Sequence, residues 1–173
     1  VIIKYMKWIG ISGTWQLTSH QVEEDVRRGV KKILSDGNGI ITGGALGVDS
    51  FAMDEVIKNN AHKDRIKICL PVTFALYKAH YRKRALEGVI THGQAEKLIE
   101  SLETIYLSNK EAMIEDTRFT VCDKESYYAR NGTIVDLSDE LYAFQVNGSG
   151  GTGDTIEKAK SQGKEVRLFT YNF

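Results

Sequence analysis

Apolar positions along the chain recur in two rhythms, and the switch between them marks the elements. Residues 6–11 form a short apolar run with β-branched content, as a buried strand has, and it closes on Gly10, Ile11, Ser12 and Gly13. Thr18 with Gln21 three residues later has the form of a capping box, and Val22, Val26, Val30, Ile33 and Leu34 follow at helical spacing up to Asp36 and Gly37. A second strand, residues 39–42, runs directly into Gly43, Gly44, Ala45, Leu46 and Gly47, and a helix is expected over about residues 49–59. A third strand over residues 66–70 stops at Pro71, which has no N–H to give to a sheet.

The middle of the chain is expected to form a helical insertion around residues 77–118. It opens with a basic and aromatic segment, residues 77–84, and carries a helix over about 94–108 with Ala95, Leu98, Ile99, Leu102 and Ile105 on one side. Residues 119–122 are expected to form a short strand, and 127–137 a helix interrupted or capped near Gly132. The pattern sharpens again at the end, with a strand over 141–146, a glycine loop over 147–153, a helix over 155–162 and a strand over 165–170. Strands alternating with helices imply an α/β single domain, its mostly parallel sheet covered by helices on both faces, because parallel strands need crossover connections.

Composition narrows the function classes. The 23 basic and 23 acidic residues balance, so no global positive field marks a nucleic-acid partner, and any such binding has to come from a local patch. Cys69 and Cys122 sit in apolar runs without CxxC spacing, which points away from a disulfide framework or a zinc site and towards a reducing, cytoplasmic setting. No apolar run approaches the roughly 20 residues that span a bilayer, and the N-terminus lacks a signal-peptide pattern, so no membrane partner is expected. His20, His62, His80 and His92 are dispersed, and neither a G-x-S-x-G elbow nor a G-x-x-x-x-G-K-[ST] loop occurs. No metal and no cofactor are indicated.

Three strands end in glycine-rich turns that lead into helices: Gly10 to Gly13, Gly43 to Gly47, and Gly148, Ser149, Gly150, Gly151, Thr152 and Gly153. In an open α/β sheet such strand ends share one edge, where ligands bind. Glycine also marks ordinary tight turns, so one such loop alone would say little. Glycine lets backbone N–H groups approach a phosphate or sugar, and a following helix N-terminus favours negative charge. On this view Gly44→Val is expected to block the ligand and spare the fold.

The segment Thr42-Gly43-Gly44-Ala45-Leu46-Gly47-Val48-Asp49, with Ala52 behind it, resembles the S-G-x-A-x-G-I-D-x-x-A signature of DprA/Smf proteins and the wider SLOG superfamily. Arg130 and Asn131, followed by Ile134, Leu137 and Ser138, are similar to the R-N-R-I-I-x-x-L-S segment of DprA, with Gly132 in place of its second arginine. Gly150-Gly151-Thr152-Gly153-Asp154-Thr155-Ile156-Glu157 resembles instead the G-G-x-G-T-x-x-E motif of the LOG phosphoribohydrolases, with Asp154 in place of threonine. Residues 85–124 have no counterpart. The resemblance implies a Rossmann-like fold whose partner is a nucleotide, a nucleotide-derived small molecule or single-stranded DNA. DprA has further domains, whereas this chain reads as the Rossmann-like module, so recombination mediation is not carried over. Assembly into a homo-oligomer is open on sequence grounds.

The resemblance and the loops together nominate Gly10, Ser12, Gly13, Gly43, Gly44, Gly47, Asp49, Gly148, Ser149, Gly150, Gly151 and Thr152 for nucleotide binding, with Arg82, Arg130 and Asn131 adding charge and hydrogen bonds. Several residues read two ways. Asp49 suits a ribose hydroxyl or a helix cap. Residues 77–84 suit phosphate and base contacts or a solvated helix face. Trp15 can line a pocket beside Gly13, while Trp8 suits the core. Asp154 and Glu157 suit a capping box, and the LOG resemblance makes Glu157 the candidate catalytic carboxylate for N-glycosidic cleavage. Asp154 at a helix start would repel a monophosphate held there.

Overall fold

The computed structural model describes residues 5–173. Six strands and six α-helices succeed one another as β1 (Trp8–Gly13), α1 (His20–Ser35), β2 (Gly39–Thr42), α2 (Val48–Asn59), β3 (Ile66–Leu70), α3 (Phe74–Leu86) and α4 (His92–Ser108). A 3₁₀ turn (Lys110–Ala112) then leads to β4 (Met113–Glu115), α5 (Lys124–Leu137), β5 (Glu140–Val146), α6 (Gly150–Ser161) and β6 (Glu165–Tyr171). The strands form one parallel sheet in the order β4-β3-β2-β1-β5-β6. This is the Rossmann-like α/β architecture expected from the alternation of elements.

Side chains leave successive strand positions on opposite faces, and the cores divide accordingly. Ile40 and Ile68 join a large core with Val22, Val26 and Val30 of α1, Met53 of α2, Tyr77 of α3 and Leu102 of α4. Their neighbours Ile41 and Cys69 point the other way, to Ile134 of α5. Leu141 and Ala143 of β5 meet Val135 of α5 with Ile156 and Ala159 of α6 on that same second face. Helices α1 to α4 therefore cover one face and α5 and α6 the other. Right-handed crossovers require this: the chain steps one way from β1 to β4, then returns to β5 on the far side of β1.

Several local expectations shift. The first strand runs two residues later than residues 6–11. Ser19, not Thr18, caps α1, accepting from Val22 N at 3.3 Å, and the Gln21 amide turns to Asp25 instead. Residues 119–122 are irregular chain, and the missing strand lies earlier: β4 pairs with β3 at the sheet edge, inside the stretch expected to be a helical insertion. Helix α5 passes through Gly132 without a break. Helix α6 starts at Gly150, so Gly150, Gly151 and Gly153 belong to a helix rather than a loop. Among the described residues no helix is long and apolar enough to cross a membrane.

Candidate functional site

Where the chain reverses direction between β1 and β5, no connection fills the space beyond their carboxyl ends, and a parallel α/β sheet takes its ligands there. A cavity of about 550 Å³ occupies this position. Its floor is the end of β1 and the loop after it, from Ile11 to Gln16. One wall is the start of α6, and the other walls are α5 and the outer half of α3.

The α6 wall is built by a tight turn. Asn147 and Gly148 both adopt positive φ, at 48° and 63°, and Ser149 N donates to Val146 O across them at 3.0 Å. The first helical hydrogen bond runs from Gly153 N to Ser149 O. No side chain caps the helix; the Ser149 hydroxyl pairs with Thr152 Oγ1 at 3.0 Å. The N–H groups of Gly150, Gly151 and Thr152 thus stand at an uncapped, positively polarised helix start in the cavity wall. A Cβ on Gly150 or Gly151 would meet nothing within 4 Å.

Opposite, α5 presents a stripe at positions three, four and seven apart: Lys124, Tyr127, Tyr128, Asn131 and Ile134. Arg130 joins them. Its Nη1 donates to Gly43 O at 2.7 Å, its Nε to Asn131 Oδ1 at 3.3 Å, and its guanidinium lies 5.2 Å from the Tyr127 ring centroid. Burial opposes its charge, but Tyr77, Asp49 and Tyr127 around it outweigh that and hold its pKa above the ordinary value. Arg130 is a fixed cation.

Asp49 is buried at the cavity base, one residue into α2, and accepts from Ala45 N at 3.1 Å. The helix cap itself is Gly47, so the carboxylate ties the 43–47 loop to the helix instead of capping it. Burial pushes its pKa up, against the pull of Arg130 and the Ala45 N–H. Thr42 Oγ1 is wholly buried without a hydrogen bond inside normal distance, though it lies near enough to Asp49 to favour its ionised form.

From α3 come Tyr81, His80 and Arg84. The Tyr77 hydroxyl donates to Gly44 O at 3.0 Å, and His80 Nε2 lies 3.4 Å from the Tyr127 hydroxyl, which joins α3 to α5 over the sheet edge. Burial, with help from the Arg84 charge, lowers the His80 pKa and favours the neutral ring.

Of the residues nominated from sequence, Ser12, Gly13, Asp49, Arg130, Asn131 and the run from Ser149 to Thr152 line this cavity. Gly10 lies lower in β1, where a Cβ would come within 2.6 Å of Ser138 Oγ. Gly43 and Gly44 face protein, and Gly47 makes room for the Thr14 and Trp15 backbone. Gly148 shapes the turn behind the wall. Arg82 points away, paired with Glu96 at 3.0 Å. Glu157 is exposed on α6 outside the lining. It forms no capping box with Asp154, since the helix begins four residues before Asp154. Asp154 instead accepts from Lys158 and, at 3.1 Å, from Asn131, so its charge is balanced and does not guard the helix start.

Sequence reasoning passed over Lys124, Tyr127 and Tyr128 as site residues, although the α5 stripe is a helical-period signal. Among the described residues no three His, Cys, Asp or Glu side chains are grouped to hold a metal ion.

Fold and cavity together define a Rossmann-like domain with an open cavity at its switch point. In shape the chain is similar to DNA processing protein A from Helicobacter pylori, a structure described for its single-stranded DNA binding mode, with a TM-score of 0.67 and 18% identity over 94% of this chain and 64% of that one. It is also similar to the structural-genomics target TM1055, with a TM-score of 0.56 and 14% identity over 93% of this chain and 72% of that one. DprA from Streptococcus pneumoniae matches at a TM-score of 0.53 and 14% identity, over 95% of this chain and 59% of that one. The chain has the fold of these proteins and spans under two thirds of the length of both DNA processing proteins. No protein-family model and no curated protein matches the sequence.

Proposed function

We propose that this chain is a DprA-like binding domain that holds a nucleotide, free or as a unit of single-stranded DNA, at the β1/β5 switch point. The observation that carries the reading is the pairing, within one cavity, of an uncapped helix start having open glycines with an arginine and three tyrosines opposite it. Three free N–H groups and the helix dipole suit a phosphate. Arg130 and Lys124 supply charge, and Tyr81, Tyr127 and Tyr128 supply flat faces for a base. Asp49 and Asn131 are placed to meet sugar or base polar atoms. The single-stranded DNA binding of the H. pylori protein supports the same reading.

N-glycosidic cleavage is less favoured, because Glu157 stands exposed outside the cavity. The test is Gly151→Asp. A carboxylate in the first turn suits the helix dipole, and its Cβ has open space, so thermal stability holds or rises. The same carboxylate repels a phosphate. Calorimetric titration with a nucleoside 5′-monophosphate and a short oligothymidylate is expected to show a loss of at least about tenfold in affinity, or about 1.4 kcal/mol. Unchanged affinity removes α6 from the site.

A further inference from the structure

Trp15 stands at the mouth of the cavity with 40% of its surface exposed. Among the described residues its indole makes no hydrogen bond and no ring contact, and it belongs to none of the hydrophobic cores. Its backbone, by contrast, is held tightly. Val48 N donates to Thr14 O at 3.1 Å, and Gly47, at φ 72°, brings α2 so close that any Cβ there would lie 2.8 Å from Trp15 Cα. Gly13 likewise leaves room only for Val48. The fold fixes the loop and leaves its largest side chain unused.

Charge is arranged to match. Arg130 lies deep in the cavity, while the exposed Lys124 and the half-exposed Arg84, which pairs with Glu87 at 3.1 Å, line it towards solvent. An enclosed nucleotide therefore finds cations on its inner side and at the mouth, where a phosphate leading to a neighbouring nucleotide would pass.

We propose that Trp15 is the stacking platform for a second base, so that the site selects a single strand of two or more nucleotides over a mononucleotide. This rests on the nucleotide-binding reading above. A partly exposed indole on a firmly held loop beside a cationic opening suits base stacking, which tolerates any base because each has a π-face. Trp15 belongs to none of the hydrophobic cores, so its replacement leaves them intact.

The protein's own fluorescence provides the measurement. The other tryptophan, Trp8, is partly buried at the opposite end of β1 under the Lys67 ammonium, 4.2 Å from its ring, so a ligand at the mouth quenches Trp15. Thymidine 3′,5′-bisphosphate and an oligothymidylate of about five residues are titrated at equal salt into wild type, Trp15→Ala and Trp15→Phe, by fluorescence and calorimetry. The oligonucleotide is expected to quench emission and bind more tightly than the single nucleotide. That preference shrinks by roughly tenfold in Trp15→Ala and largely returns in Trp15→Phe. A preference that survives in Trp15→Ala overturns the proposal, as does an equal loss for both ligands, which would make Trp15 only cavity wall. If wild type binds neither probe, the nucleotide reading itself fails and takes this inference with it, whereas oligonucleotide binding that Gly151→Asp abolishes and Trp15→Ala spares sinks this inference alone.

Discussion

The loops after β2 and β5 look alike as sequence, each a strand followed by a glycine cluster and a helix, yet their glycines have opposite surroundings. In the β2 loop, Gly43 makes room for the Arg130 guanidinium, Gly44 faces Ile68 and Gly47 faces the Thr14 and Trp15 backbone. After β5, Gly148 of the turn and Gly150 and Gly151 of the α6 start have nothing within 4 Å of where a Cβ would be. The first cluster is glycine so that protein can pack against it; in the second, Gly148 takes the positive φ of the turn, while Gly150 and Gly151 leave the helix start open to whatever occupies the cavity. A glycine motif by itself does not say which.

The largest effect that tests this contrast is expected at Gly44. A Cβ there would lie 2.8 Å from Ile68 Cγ2, and φ is 65°. Left-handed strain and overpacking together should cost Gly44→Val about 2–5 kcal/mol in denaturant unfolding. Loss of binding would follow from lost structure, not from a blocked ligand as the motif suggests. Gly151→Ala in the same assay should hold or gain up to about 1 kcal/mol, because its site is an open helical position. Equal costs at both positions would erase the distinction.

A smaller effect separates two arginines on α3. Both are ion-paired, Arg84 with Glu87 at 3.1 Å and Arg82 with Glu96 at 3.0 Å, but only Arg84 lines the cavity. Arg84→Ala should weaken oligonucleotide binding a few-fold and reduce the salt dependence by about one phosphate contact, with Arg82→Ala within error of wild type. The reverse pattern would place the strand along the outer face of α3.

The smallest effect belongs to Glu157. Its side chain is exposed and caps nothing, so Glu157→Gln should change stability by less than about 0.5 kcal/mol and leave nucleotide affinity as it is. Free base should not be released from nucleosides or nucleotides by wild type or variant. Release by wild type that vanishes in Glu157→Gln would return the hydrolase reading.

Fold was more legible than site because strand and helix periods are local, while a cavity is assembled from distant residues. The alternation of apolar runs disclosed the parallel sheet. It missed β4, since Met113 to Glu115 is too short to show a period of two. The start of α6 was misplaced because three glycines in its first turn resemble a loop. Arg130 was reached through its resemblance to the DprA segment, but its hold on Gly43 O was not readable from a separation of 87 residues. Lys124, Tyr127 and Tyr128 lay in a segment without a family counterpart or just beyond it, and only the packing of α5 over the sheet edge turns their stripe inward.

The cavity is walled by helices from both layers, α3 from one face of the sheet and α5 and α6 from the other, while the cores beneath those layers are separate. Apart from the sheet, contacts such as His80 with Tyr127 and Arg130 with Gly43 O are what join the two sides at this edge. A molecule seated there acts as a clamp across the seam. By mass action its occupancy adds to the free energy of unfolding in proportion to the logarithm of its concentration, about 2.7 kcal/mol at a hundred times Kd. On the proposed reading, the melting temperature of this domain is thereby a gauge of how much nucleotide is bound.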